Sequence, residues 1–175
     1  MAPITPFKVD IPDSRLQRLR QKLALTDLPT ELEDLDPHNE QWSRGTPLSE
    51  ITRLAVYWKD HFDWGKVEAR LNAELPQFTA DIEIDGFGSY NVHFVHKRSS
   101  VSTGQGEQVI PVLFLHGWPG SFLEVSKILP LLVNGAEGEP SFHVVAPSLI
   151  DFGFSGGSRS VRSIVIMSGK SHASG

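Results

Sequence analysis

Two short segments of this chain carry residue types and spacings that could do chemistry. Gly153-Phe154-Ser155-Gly156-Gly157 satisfies the Gly-x-Ser-x-Gly pattern, the strand-to-helix elbow that lifts a serine hydroxyl out for attack on a carbonyl. That chemistry needs an acid and then a histidine further along the chain. His172 follows Ser155, but no Asp or Glu does. A triad in the usual order cannot close, so the segment reads as a glycine-rich turn leaving a strand. The second segment is His116-Gly117-Trp118-Pro119-Gly120-Ser121. It lies between an apolar strand and a helix, at the carboxyl end of the strand, where open α/β sheets place their ligands. Glycines there let the backbone turn tightly, and free amides can hold an oxyanion, an effect worth about 3 kcal/mol per donor. A structural turn with Trp118 as packing accounts for the same residues equally well.

Other matches carry less. His93 and His96 are three apart on a strand. They face opposite sides, cannot chelate one ion, and read as one core and one rim histidine. Asp151-Phe152-Gly153 matches a kinase tripeptide without the phosphate loop or catalytic loop that would give it meaning. Gly104-Gln105-Gly106 lacks the third glycine and the following helix of a dinucleotide site. The chain has no cysteine, which excludes a disulfide framework, a thiolate zinc site and a thiol nucleophile. No metal and no cofactor is expected.

The elements that position these segments follow from periodicity. Leu16, Leu19 and Leu23 recur on one helical face, with Ser14 and Gln17 spaced as a capping box. An acidic, proline-bearing stretch over Thr26–Gly45 suits a surface loop. Thr46-Pro47 then restarts a helix, Thr46 as N-cap and Pro47 at the first position, with Leu48, Ile51, Ala55 and Trp58 as its buried stripe. Trp64, Val67 and Leu71 mark a shorter helix. At Phe78 the period changes to alternation. Phe78, Ala80, Ile82 and Ile84 point one way, Asp85-Gly86 turns, and Tyr90, Val92 and Phe94 resume, which predicts an antiparallel hairpin with one drier face per strand. Ser99–Gln108 is a polar loop. Val109–Leu115 is apolar on both faces, as a buried parallel strand is. Phe122, Val125, Ile128 and Leu132 give a helical stripe interrupted by Pro130, and Phe142–Ala146 is a second buried strand. Strand, helix, strand with a right-handed crossover is an α/β unit.

Composition bounds the partners. At about 100–200 residues per domain, 175 residues make one domain, or a domain with an arm. A chain of this size buries roughly 70% of its unfolded surface. The formal net charge of −5 lacks the basic footprint of a nucleic-acid binder. The apolar runs fall far short of the roughly 18 residues of a membrane span, and Met1–Lys8 lacks the core of a secretory signal. A soluble, cytoplasmic protein is expected. Residues 156–175 contain no acidic residue and are rich in Ser and Gly around Ile164-Val165-Ile166-Met167.

The longer stretches resemble the epoxide hydrolases of the microsomal and juvenile-hormone type, an α/β-hydrolase family. The resemblance rests on Pro6–Pro12, Gly45–Leu48, Tyr57-Trp58, Phe62-Asp63-Trp64, Ile84–Gly86 and Val92–His96. It is most specific at Leu115-His-Gly-Trp-Pro-Gly-Ser-Phe122, and continues through Val144–Leu149 and Gly153–Ser155. It spans about residue 4 to 155 and implies an α/β fold: an N-terminal helical arm (1–76), an incomplete α/β-hydrolase sheet of hairpin then strand–helix–strand (77–155), and a divergent tail (156–175). It implies hydrolysis of an apolar epoxide to a vicinal diol without cofactor. The oxyanion hole it implies is His116, Gly117, Trp118 and Pro119, with the Trp118 amide as a donor and a Trp118–Pro119 bond of cis form. Asp63 then matches an N-terminal motif and Ser155 a strand exit, neither a nucleophile. The family's Gly-Gly-Asp-Trp elbow, cap tyrosines and late acid–His pair have no counterpart, so the resemblance implies a truncated chain that is not competent alone. A non-catalytic binding module is the alternative, and a serine esterase using Ser155 a lesser one. In the family's strand order the Val109–Leu115 strand becomes an open edge, which predicts self-association.

Overall fold

A computed structural model describes residues 3–32, 42–43, 45–100, 109–136 and 139–157. They divide into two compact units, Asp10–Ala69 and Met1–Val9 with Arg70–Gly175. The Ile164–Met167 patch, His172 and Gly104–Gly106 lie outside the described residues.

The first unit is built on the helices α1 (Asp13–Leu25), α2 (Leu48–Asp60) and the start of α3 (Trp64–Glu74). The expected caps are shifted. α1 begins at Asp13 behind Pro12 with no side-chain cap, so Ser14 already lies inside the helix and the Ser14–Gln17 box does not form. α2 begins at Leu48 behind Pro47, also without a cap from its own flank. The Glu31 carboxylate accepts the Leu48 N–H at 3.1 Å in place of Thr46. α1 and α2 hold no fully buried residue. Ile51 and Trp58, expected in the buried stripe of α2, stay exposed. Leu16, Leu19 and Leu23 instead face Leu54, Tyr57, Trp58, Phe62 and Trp64 across an apolar groove of about 520 Å³. Two amphipathic helices align their stripes along this groove, and Trp64 at the start of α3 closes part of its wall.

The second unit is a five-stranded sheet. Its strands are β1 (Thr5–Phe7), β2 (Gln77–Ile84), β3 (Gly88–Lys97), β4 (Val109–Leu113) and β5 (Ser141–Pro147), in the order β1-β2-β3-β5-β4. Neighbours are antiparallel from β1 to β5, and β4 runs parallel to β5. A parallel neighbour needs a crossover; here it is a 3-10 turn, Phe122–Glu124, and helix α4 (Val125–Asn134), which packs on β5. β1 was not expected. Three residues containing a proline carry no periodic signal, and only pairing with β2 makes them a strand.

Cross-strand register sorts the sheet into two faces. One carries Phe78, Phe94 and Pro147 beside His96, Val145 and Leu113; the other carries Gln77, Val95 and Ala146 beside His93, Val144 and Val112. The second is the buried face: Gln77, His93, Val95, Val144 and Ala146 are all enclosed. The hairpin's apolar alternation therefore marked the more open face, on which Ile82 and Ile84 remain exposed. Polar Gln77 and His93 can lie inside because every hydrogen-bonding group of theirs is matched. The expected α4 stripe holds at Phe122 and Val125; beyond them Leu129 and Val133 are buried, a strict i, i+4, i+8 row from Val125, and Ile128 is exposed. β4 and β5 are strands as expected. β4 lies at the edge, however, with Leu113 62% exposed.

No helix among the described residues is long and apolar enough to cross a membrane.

Candidate oxyanion loop

β4 and β5 end side by side, and the loops that leave them, residues 114–121 and 148–157, form the candidate site. One side chain ties the two loops together. The His116 ring is buried. Its Nδ1 lies 3.1 Å from the Gly117 carbonyl oxygen, and its Nε2 lies 3.1 Å from the Leu149 backbone nitrogen. A carbonyl only accepts and an amide only donates, so the ring is fixed as the neutral tautomer with its proton on Nδ1. Phe152 packs edge-on against it at 5.3 Å. Both ring nitrogens are thus spent on backbone, which makes His116 a clamp and not an acid or base.

The rest of the loop is open. Trp118 is 84% exposed and Gly117 is exposed. The Trp118–Pro119 peptide is cis. Gly120 N–H closes the turn onto the Gly117 carbonyl at 2.9 Å, and Ser121 Oγ accepts from Leu123 N–H, capping the 3-10 turn. The amides of Gly117 and Trp118 make no hydrogen bond among the described residues. Adjacent open amides beside a clamped ring can receive a negatively charged oxygen. Pro119 has no N–H to offer and acts through its ring alone.

Ser155, in the second of these loops, is tied to backbone. Its hydroxyl donates to the Ser148 carbonyl at 2.6 Å and accepts from His93 N–H at 3.0 Å. Both hydroxyl functions are held by backbone, so it has no base. His93 is paired with a different serine. Its Nδ1 lies 2.9 Å from Ser148 Oγ, and its Nε2 lies 3.1 Å from Gln77 Oε1. The Gln77 amide continues to Asn72 Oδ1, which also accepts Val9 N–H at 2.8 Å, while Asn72 Nδ2 donates to Val9 O. Gln77 Oε1 can only accept, so the His93 proton sits on Nε2 and Ser148 donates to Nδ1. Serine, imidazole and amide stand in the order of a catalytic triad. Phe7, Phe122 and Phe154, however, surround the ring at 4.8–5.4 Å, and both His93 and Ser148 are enclosed, which leaves no room for a substrate. Burial pushes the His93 pKa down to about 4. The network is structural. Sequence reasoning missed it, although His93 shares its strand face with Val95, a signal for burial.

Asp63, in the helical unit, is a helix cap. Its Oδ1 accepts Lys66 N–H at 3.2 Å at the start of α3, and that bond holds its carboxyl below the usual range. Asp63→Ala should lower the helical unfolding midpoint, and Asp63→Asn, which caps as well, should restore it; thermal melts followed by circular dichroism read the difference. Among the described residues no cluster of His, Cys, Asp and Glu is placed to hold a metal ion.

The chain matches known proteins in family and in fold. Residues 4–125 match the family model described as epoxide hydrolase N terminus. A Stigmatella aurantiaca protein named for epoxide hydrolase activity is 41% identical over 156 residues, 87% of this chain and 32% of its own length. Epoxide hydrolase 1 of Oryctolagus cuniculus is 35% identical over 87% of this chain and 32% of its own length. The Aspergillus niger epoxide hydrolase structure superposes with a TM-score of 0.65 at 36% identity, over 89% of this chain and 37% of that one. The juvenile hormone epoxide hydrolase structure from Bombyx mori shares the fold, with a TM-score of 0.75 at 23% identity over 91% of this chain and 35% of that one. The chain spans about a third of the length of the relatives it matches.

Proposed function

This chain belongs to the epoxide hydrolase family, and we propose that it supplies the oxyanion loop of an epoxide-hydrolysing site. A carboxylate opens an epoxide by bonding to a ring carbon, while the ring oxygen leaves and takes a proton from an acid. The ester so formed is hydrolysed when water adds to its carbonyl, passing through a tetrahedral oxyanion before the diol departs. The amides of Gly117 and Trp118 are the donors we assign to that oxyanion. His116 holds them in place, and Pro119 fixes the turn that follows. The observation that carries this reading is the pair of open amides on a loop whose histidine is spent on backbone. The substrate class is an apolar epoxide, with no nucleic acid as partner, and the location we assign is the cytoplasm. The same reading includes self-association of the 175-residue chain through the open β4 edge.

The 175-residue protein should bind an anion at this loop without turning over an epoxide. With ¹⁵N-labelled protein, phenylacetate (an anion with an apolar body) should shift the Gly117 and Trp118 amides saturably. Unmoved amides would refute the oxyanion assignment. With styrene oxide, diol formation should stay at background, because the loop's own imidazole, His116, is spent on backbone at both nitrogens. Saturable diol formation that survives repurification would overturn that part. A non-catalytic binding module would give the same absence of turnover, and is separated by whether uncharged apolar ligands move the loop as strongly as anions do.

A further inference from the structure

Gly120 closes the turn of the oxyanion loop, and the Glu124 carboxylate lies directly on it. A Cβ at Gly120 would overlap Glu124 Oε1 and stand 2.6 Å from Glu124 Cδ. The carboxylate thus occupies the space that any side chain at position 120 would need. Local sequence accounts for its placement. Ser121 caps the 3-10 turn and Glu124 follows it by three residues, the spacing of a capping box, whose acid folds back over the start of the helix. We propose, building on the oxyanion assignment above, that Glu124 is a specificity-determining residue of this loop: its charge weakens the hold on ligands that arrive already anionic and leaves neutral ones, an epoxide among them, unaffected.

The backbone places that charge behind a donor. The Gly117 carbonyl oxygen is 3.1 Å from the same Cβ position that Glu124 Oε1 would overlap, so the two oxygens are near neighbours. That carbonyl already accepts from Gly120 N–H and from the His116 ring. Its peptide unit joins Gly117 to Trp118 and is trans, the cis bond of the loop being Trp118–Pro119. A trans peptide points its C=O and N–H in opposite directions. The carboxylate therefore stands at the carbonyl end of the unit whose other end is the Trp118 amide. Among the described residues Glu124 makes no ion pair, and Lys127, one turn further on, is not joined to it.

An anion on the Trp118 amide and the Glu124 carboxylate are then like charges roughly 8 Å apart. With an effective dielectric of about 30–60, their repulsion weakens binding about three- to tenfold. An uncharged ligand feels none of it. An epoxide enters neutral, so free carboxylates are held off the amides while the substrate is not. The oxyanion of the ester intermediate forms only after binding and is retained by a covalent bond, so the same repulsion cannot expel it.

Glu124→Gln removes the charge and keeps both the side-chain length and a residue type that serves in capping boxes. Read from the Gly117 and Trp118 amides of ¹⁵N-labelled protein, phenylacetate at about 20 mM ionic strength should bind Glu124→Gln about three- to tenfold more tightly than the unsubstituted protein. The difference should shrink below about twofold in about 1 M salt, where the screening length is about 3 Å. Phenylacetamide, the uncharged analogue, should bind both proteins alike. A double-mutant cycle checks the contact: Gly120→Ala should lower the melting temperature of the unsubstituted protein, and lower it less in Glu124→Ala, where the space is vacant. Equal phenylacetate affinities at low salt would refute the role of Glu124 while the oxyanion assignment stands. A gain that persists in high salt, or that phenylacetamide shares, would mean that Glu124 acts through shape, and would overturn its role as well. Additive effects of Gly120→Ala and Glu124→Ala would remove the contact on which that role depends. Amides unmoved by phenylacetate in both proteins would refute the oxyanion assignment, and the role of Glu124 with it.

Discussion

Replacing His93 with alanine should cost the sheet unit about 4 kcal/mol, the largest effect of any single side chain in it. The ring fills the space between Phe7, Phe122 and Phe154, and truncating a large buried side chain to alanine typically costs about 3–5 kcal/mol. Its loss also strands Ser148 Oγ and Gln77 Oε1 in the interior, and each unpaired buried polar group adds to the cost. Urea unfolding measures it. His93→Leu restores volume without hydrogen bonds and should fall between the two. An alanine variant as stable as the unsubstituted protein would mean that the network contributes nothing. The same ring makes stability depend on acidity. His93 in the folded chain has its pKa pushed from 6.5 down to about 4, so between those values the unfolded chain binds a proton that the folded chain refuses. Stability is full above about pH 6.5, declines as the pH falls, and levels off below about 4. The loss is at most about 3 kcal/mol, and less where solvent screens the ring. In His93→Leu that decline should vanish.

Gly153→Ala should be the second most damaging change, at about 2–4 kcal/mol, while Gly156→Ala three residues on should be close to neutral. Gly153 has φ +53°, a left-handed conformation in which a Cβ costs about 1–2 kcal/mol. A Cβ there would also overlap Ser148 Oγ and stand 3.1 Å from Ser148 Cβ. Ser148 cannot retreat, because its hydroxyl is held by His93 and its N–H by the His93 carbonyl. Overpacking of this kind adds about 1–3 kcal/mol. A Cβ on Gly156 would meet Asn91 at 3.4 Å from its carbonyl oxygen and 3.8 Å from its Cβ, ordinary contacts. Equal melting temperatures for the two variants would contradict this account of the motif. The Gly-x-Ser-x-Gly pattern thus has a physical cause without nucleophilic chemistry: glycine where the turn passes Ser148, and serine where a hydroxyl must bridge two backbone groups.

What the sequence made legible, and what it did not, follows the range of the forces involved. Local periodicity sufficed for the hairpin, for β4 and β5, and for the helices. The loop at His116–Pro119 was legible as a place because a glycine-rich break after an apolar run is a local signal. The partners of His116 were not, since Leu149 lies thirty-three residues away. β1 needed β2 to exist. In α4 a spacing of four from Val125 replaced the expected spacing of three, and Ile128 gave way to Leu129. The buried face of the hairpin was misjudged because a buried glutamine and histidine look like solvent-facing residues until their partners are known. A capping box at Ser14 failed for a smaller reason: the helix started two residues early, and the hydroxyl was already inside it.

The strand order carries a consequence for how the sheet comes into being during synthesis. Of the described strands β5 leaves the ribosome last, yet it occupies the place between β3 and β4. Until Pro147 has emerged, β3 has a partner on one side only and β4 has none at all. A nascent chain ending near residue 140 therefore presents the open side of β3 and both sides of the uncharged β4 at once. Closing the sheet then requires β5 to insert between strands separated from it by about fifty and about thirty residues, pairings whose loop-closure entropy slows them. The interval before that insertion is when this sequence is most exposed to pairing with the wrong chain. A substitution that slows β5 would be felt first as lost yield, well before any change in the melting temperature of the molecules that succeed.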